Sequence, residues 1–284
     1  MNASGIVLEG GALRGIFTAG VLDYLMEKEF YFPYVIGVSA GACNAVDYVS
    51  RQPGRTRECL IPQTKEDHLI SLRKTLKNRS LFDMDLLFDV YPNEKIPFDF
   101  ETYFHSSMQC ELVVTNCLTG QAEYLNERSS RDRLMKICRA SSSIPIASPT
   151  VRVDGVPYLD GGIADSIPVL RSLKTGHRKN VVVLTRNYGY RKRPPRKSRG
   201  LYRTAFQQYP EFYRAVCRRA YHYNKTLSYV EKWEKEGKIF VLRPEIPEVS
   251  RMERDSKVLQ NFYQHGYDQM AEKYEAMLAF LKEK

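Results

Sequence analysis

The chain lacks any long hydrophobic run. None of its windows approaches the roughly 18 uninterrupted apolar residues of a membrane-spanning helix, so a transmembrane protein is not expected. Met1-Asn-Ala-Ser-Gly5 carries no basic leader, and the apolar stretch after it is broken by Glu9, Arg14 and several glycines, which argues against a signal peptide. The six cysteines, at 43, 59, 110, 117, 138 and 217, contain no CxxC pair and are too sparse for a disulfide scaffold. Reduced thiols and a cytoplasmic protein are the expectation, with peripheral membrane contact left open. Asp, Glu, His and Cys do not cluster at ligand spacing, and no D-x-D-x-D-G loop occurs, so neither a metal nor any other cofactor is expected. Internal repeats are lacking too.

What is present is a core's worth of apolar residues and a very uneven charge. With 284 residues, 43% of them apolar, the chain fits one large α/β domain or a domain with an appendage. Its net charge is +10, yet Arg186 to Lys225 holds twelve basic residues against Glu211 alone, which leaves the remainder about neutral. Arg191-Lys-Arg-Pro-Pro-Arg-Lys-Ser-Arg199 reads as a solvated loop, because its prolines block regular structure and its like charges repel. Aromatics then interleave with the charge, from Tyr202 and Phe206 through Tyr221 and Tyr223. Three readings stand: a surface for anionic lipid head groups, a track for a nucleic-acid backbone, or a solvated helix whose aromatics face the core. Nucleic acid is the less favoured partner, and no obligate protein partner is evident.

The elements alternate. Gly5–Leu8 reads as a buried strand ending in Gly10-Gly11-Ala12-Leu13-Arg14-Gly15, followed by an amphipathic helix from about 16 to 28 with Phe17, Val21, Tyr24 and Leu25 on one face. Tyr34–Val38 is the next strand, and 39–46 a helix of small residues. The opening β-α-β-α implies a mostly parallel central sheet flanked by helices, an α/β fold. Helices are expected around 65–78, 83–90 and 131–140, and strands at 111–115 and 181–185. Residues 1–190 are expected to be the main α/β domain. Residues 191–284 are expected to be a basic, mainly helical extension, with helices at 202–236 and 251–282 and a strand at 239–242 that is a candidate to rejoin the sheet.

Gly37-Val-Ser39-Ala-Gly41 fits G-x-S-x-G between a strand and a helix. There a sharp turn lifts the serine hydroxyl above the sheet and the helix N-terminus adds unpaired N–H groups. The plain alternative is a tight βα turn with Ser39 as a helix cap; Cys43 reads as a packing thiol. Gly10 to Gly15 fails as a dinucleotide fingerprint, since Ala12 stands at the middle glycine, and as a P-loop, since Ile16 replaces the lysine. It remains an oxyanion hole built from the backbone of Gly10, Gly11 and Ala12 with Arg14 alongside, or a glycine turn for close packing. None of His68, His105, His177, His222 and His265 sits in a context that would hold it against Ser39. Asp160, in Tyr158-Leu-Asp160-Gly161-Gly162, is the better-placed proton acceptor, with Asp165 in reserve; an Asx-turn or helix cap is the structural alternative.

Together these segments resemble the patatin-like phospholipase family in its bacterial branch. Gly10–Gly15 is similar to that family's G-G-G-x-R/K-G, Gly37–Gly41 to its G-x-S-x-G, and Asp160-Gly-Gly162 to its D-G-G/A. Arg139–Pro149 and Asp165–Val169 also resemble segments lining such sites. The resemblance covers about residues 5–185 and departs at Ala12, which replaces the third glycine. It implies a Ser39–Asp160 dyad with no catalytic histidine, acting on a lipid or other acyl ester through an acyl-enzyme. Acyl transfer to another alcohol is the enzymatic alternative. A binding protein that holds anionic lipid or nucleic acid without turnover is the non-enzymatic one.

Overall fold

The computed structural model describes residues 3–62, 69, 80 and 82–283. β1 (Ser4–Leu8) leads through a 3-10 turn (Ala12–Arg14) into α1 (Gly15–Glu27), and β2 (Tyr34–Val38) into α2 (Ala40–Val49). α3 (Arg55–Leu60), a π-wound segment (Leu86–Lys95) and α4 (Phe100–His105) precede β3 (Gln109–Asn116) and β4 (Ala122–Leu125). Next come α5 (Arg131–Ser142), β5 (Val151–Val153), β6 (Val156–Asp160), α6 (Val169–Lys174) and β7 (Lys179–Val183). α7 (Arg199–Ala205), α8 (Pro210–Lys235), β8 (Ile239–Leu242) and α9 (Ser256–Lys282) complete the order.

The strands form one sheet in the order β5-β6-β3-β2-β1-β7-β8, with β4 on the other edge of β3. β3, β2, β1, β7 and β8 are parallel. β1 and β2 are buried along their whole length, as continuous apolar runs in a covered parallel sheet must be. The antiparallel strands β4, β5 and β6 escape the sequence reading because they are short and only partly apolar. The α/β sheet flanked by helices is as expected, and the late strand joins it beside β7.

Several expectations are corrected. α1 is not amphipathic: residues from Gly15 to Asp23 are buried on every side, because α9 covers the face turned away from the sheet. The two helices touch backbone to backbone. A Cβ on Gly20 would lie 2.1 Å from the Tyr263 carbonyl oxygen, and one on Gly266 2.1 Å from that of Phe17. The single helix expected over 202–236 is two, broken before Pro210, which has no N–H to continue a helix from α7. The helix expected at 83–90 runs on in π form to Lys95 across Pro92. The one expected at 65–78 lies outside the described residues, apart from Leu69. No helix among the described residues is long and apolar enough to cross a membrane.

Candidate active site

β2 delivers Ser39 to the carboxyl end of the sheet. Ser39 has φ 56° and ψ −122°, a backbone conformation that L-residues rarely adopt and that costs about 1–3 kcal/mol. The glycines on either side make this turn feasible. A Cβ on Gly37 would come within 2.2 Å of the Gly41 carbonyl oxygen, and one on Gly41 within 2.4 Å of that of Leu8. Ser39 is 7% exposed. Its N–H donates to Ser141 Oγ at 2.9 Å, and the Ser141 hydroxyl donates to the Val113 carbonyl at 2.7 Å. α2 begins at Ala40, so its first N–H groups have no intrahelical acceptor and its positive end lies at the serine.

The register of β3 brings Asp160 to the same place. β4 occupies one edge of β3 over Leu112–Thr115, so β2 and β6 must share the other edge. β2 pairs along it as far as Val38 with Val113, and β6 takes over at once, with Asp160 opposite Val114. Two strands running in opposite directions therefore end tip to tip, and the next residue beyond β2 is Ser39. A Cβ on Gly161 would lie 2.1 Å from the Val113 carbonyl oxygen, which is why the chain needs glycine immediately after the aspartate. Asp160 accepts from the Gly162 N–H at 2.7 Å, and its own N–H donates to the Ser143 carbonyl at 2.9 Å. The C-terminal end of α5 thus ties down both residues, Ser39 through Ser141 and Asp160 through Ser143. Burial raises the Asp160 carboxyl above its ordinary value, against the lowering pull of Arg219, the Gly162 N–H and a hydrogen bond with the Ser39 side chain.

The glycine turn closes the site. Gly10, Gly11, Ala12 and Arg14 line a cavity of about 690 Å³ that also exposes Ser39 and Asp160. Gly10 packs so close that a Cβ would be 2.9 Å from the Val38 carbonyl oxygen. Ala12 takes φ 50°, the left-handed conformation a glycine would adopt without cost. Ala12 opens the 3-10 turn and its N–H has no acceptor within it. The Arg14 side chain is 6% exposed and its Nε has no hydrogen-bond partner. Burial, with Arg186 and Arg251 nearby, brings this guanidinium down to about 10.

A second cavity, of about 90 Å³, also reaches Ser39 and is walled by Val46, Leu60, Phe88, Phe98 and Met135 among other apolar side chains. Ser39, Ala12 and Ile144 line both cavities. Cys43 borders the apolar one, and burial pushes its thiol up to about 12, which makes it a packing group rather than a nucleophile. Asp165 is placed elsewhere: its carboxylate accepts from the Tyr124 hydroxyl at 2.9 Å and borders neither cavity. No described histidine borders either one; His177 stacks on Tyr34 and His265 accepts from the Glu245 N–H. Among the described residues no group of His, Cys, Asp and Glu converges as a metal site.

The sequence reading did not single out Ser141, although it lies in the Arg139–Pro149 segment. It also missed the inward turn of the basic stretch, where Lys192, Arg193 and Arg219 line the larger cavity. Phe206, Phe212 and Tyr223 are buried, as the core-facing reading of the aromatics had it, whereas Tyr221 is exposed. Tyr223 reaches the glycine turn: its hydroxyl donates to Glu9 at 2.7 Å.

The patatin-like phospholipase family profile matches residues 6–172, and a domain of unknown function matches residues 209–282. The uncharacterized protein YjjU of Escherichia coli (strain K12) is 33% identical over 187 residues, 63% of this chain and 51% of that protein. The probable lipid hydrolase 463L of Invertebrate iridescent virus 6 is 22% identical over 190 residues, 62% of this chain and 65% of that protein. These matches span about half to two thirds of the relatives' own lengths. The crystal structure of VipD from Legionella pneumophila shares the fold, with a TM-score of 0.51 at 14% identity, covering 98% of this chain and 67% of that one. With the family profile matching well over half of its length, the chain belongs to the patatin-like phospholipase family.

Proposed function

We propose that the chain is a serine-dependent lipid acyl hydrolase working through Ser39 and Asp160. The observation that carries this reading is the junction on β3, where β2 and β6 end tip to tip and bring a strained serine and a buried carboxylate together. Asp160 takes the Ser39 proton as Oγ attacks the ester carbonyl, and the Oγ–acyl bond forms. The carbonyl oxygen, now negative, faces the backbone N–H groups of Gly11 and Ala12 with the charge of Arg14 nearby. Collapse breaks the ester C–O bond, and the proton passes from Asp160 to the departing alkoxide. Water then attacks the acyl-enzyme, giving one proton to Asp160 and its hydroxyl to the acyl carbon; the acyl–Oγ bond breaks, the carboxylic acid leaves, and Asp160 returns the proton to Ser39. A carboxylate is a weak base, and its burial supports the role by lifting its pKa toward neutrality. The apolar cavity beside Ser39 suits an acyl chain.

Fatty-acid release from phospholipid vesicles, with a short-chain chromogenic ester alongside, tests this. Ser39→Ala is expected to abolish release, and Asp160→Asn to lower kcat by about 10²–10⁴. The base works only when ionised, so the wild-type rate should rise with pH through an apparent pKa above 3.8, and Asp160→Asn should lose that limb. Release that persists in Ser39→Ala on both substrates would end the proposal. Product analysis in the presence of added alcohols separates hydrolysis from acyl transfer.

A further inference from the structure

The larger cavity is charged far beyond what an ester needs. Arg14 reaches it from the N-terminal turn, Lys192 and Arg193 from the basic loop, Arg219 from α8, and Arg251 from the loop before α9. None of these five forms an ion pair with a carboxylate among the described residues, whereas Arg186 is paired with Glu248 and Arg191 with Glu231. Two carboxylates, Glu9 and Asp160, line the cavity. Glu9 is already engaged, with Oε1 accepting from the Tyr223 hydroxyl at 2.7 Å and Oε2 from the Thr185 N–H at 2.7 Å. Arg14 is the most exacting group, since it is more than nine-tenths buried, lines the cavity and leaves Nε without a partner. A buried guanidinium without a hydrogen-bonded anion is costly, and an array of like charges adds to the cost. A transient oxyanion carries a single charge and is short-lived, so it does not call for an array of this size.

We propose that this cavity is a head-group site selective for a phosphate monoester, so that the preferred acyl ester is a phosphatidate or lysophosphatidate and not a zwitterionic phospholipid. The inference rests on the hydrolase reading of Ser39 and Asp160. It follows from where the two cavities meet. Ser39, Ala12 and Ile144 border both, so a scissile carbonyl at Ser39 has its acyl chain in the apolar cavity and its alcohol among the cations. Arginine forks and the lysine ammonium suit phosphate oxygens. A choline or ethanolamine head would instead bring a cation into a cationic space. Burial and the neighbouring Arg219 lower Lys192 well below an ordinary lysine, and a bound anion would reverse that shift. The phosphate keeps all its P–O bonds; only the ester C–O bond breaks, and the phosphorylated alcohol leaves with the proton delivered by Asp160.

Two measurements on the full chain test this. In the first, sn-glycerol 3-phosphate and glycerol are compared for their effect on thermal unfolding. The phosphate is expected to raise Tm of wild type and of Ser39→Ala, glycerol is not, and Lys192→Met and Arg251→Met should lose most of the rise. In the second, lysophosphatidate and lysophosphatidylcholine carrying the same acyl chain are presented at low mole fraction in micelles of a nonionic detergent. Wild type is expected to favour lysophosphatidate at least tenfold in kcat/KM. Lys192→Met and Arg251→Met should shrink that ratio to within about threefold, while Lys225→Met, an exposed cation outside the cavity, should keep it. Equal use of the two lipids, a preference that survives both cavity variants, or one lost equally in Lys225→Met would overturn the head-group site, and Ser39-dependent release would still support the hydrolase. A glycerol phosphate shift without any Ser39-dependent release would retain an anion site and sink the hydrolase reading.

Discussion

Ser39 and Ala12 both hold positive φ, at 56° and 50°, although neither is a glycine. For Ser39 the proposed chemistry supplies a reason, because the proposed nucleophile is displayed from that strained position. For Ala12 nothing in its side chain requires the conformation; its methyl simply borders the junction of the two cavities. Alanine in left-handed backbone carries a steric cost that glycine does not. Ala12→Gly should therefore stabilise the protein by about 1 kcal/mol, more than offsetting the added freedom of the unfolded chain. The midpoint of urea unfolding checks this at unchanged slope. A lower midpoint would mean that contacts of the methyl outweigh the strain.

At the scale of elements, α9 and α8 are bound into the site's framework although they follow the basic loop in sequence. α9 crosses α1 at Gly20 and Gly266, each pressed against a carbonyl of the opposite helix. Tyr223 on α8 braces Glu9, immediately before the glycine turn. A methyl at Gly266 cannot be absorbed by a side-chain shift, since it meets the backbone oxygen of Phe17. Gly266→Ala should force the helices apart and cost about 1–3 kcal/mol or more. Thermal unfolding measures the loss, and a parallel fall in esterase activity is expected because α1 starts from the site's own turn. The motifs for the serine, the aspartate and the glycine turn were readable because each needs fixed residues at fixed spacing. Their pairing was expected from the motifs and the resemblance, but the strands that bring it about were not readable, because it depends on β4 and β6 flanking β3. β4 is half-buried throughout, and β6 is a five-residue strand containing Pro157, so neither gives a clear period. The all-round burial of α1 was hidden for a related reason: its partner α9 lies more than 200 residues along the chain.

For the whole molecule, the concentration of positive charge in one stretch was plain from composition, but its direction was not. A run of basic residues reads as a solvated face, and only the packing of the loop against α8 turns Lys192 inward, where its backbone exchanges hydrogen bonds with the Asn224 side chain. The response of the molecule to pH follows from groups of the other sign. Asp23, buried on α1, is raised to about 6 chiefly by burial, against the lowering pull of the Gly54 backbone and the Tyr263 hydroxyl, with Asp47 and Arg57 also acting on it. Its folded pKa exceeds the ordinary 3.8, so the stability it contributes is complete below about pH 4 and is lost as the pH rises through about 6. Glu127 works in the opposite sense and in a lower window. Burial raises it, yet the Ser130 N–H, the Arg133 side chain and the N–H groups of Ser129 and Arg128 hold it at about 2, so its contribution is lost only on acidification below about 4.5. Asp23→Asn keeps an oxygen to accept from Tyr263 and removes the charge that burial disfavours. It should be more stable than wild type by about 1–3 kcal/mol above pH 7, with the difference closing toward pH 4. Paired unfolding curves at pH 4, 6 and 8 measure that difference directly. A gap independent of pH would mean that Asp23 ionises freely in the folded protein and that its bond to Tyr263 outweighs the cost of its burial.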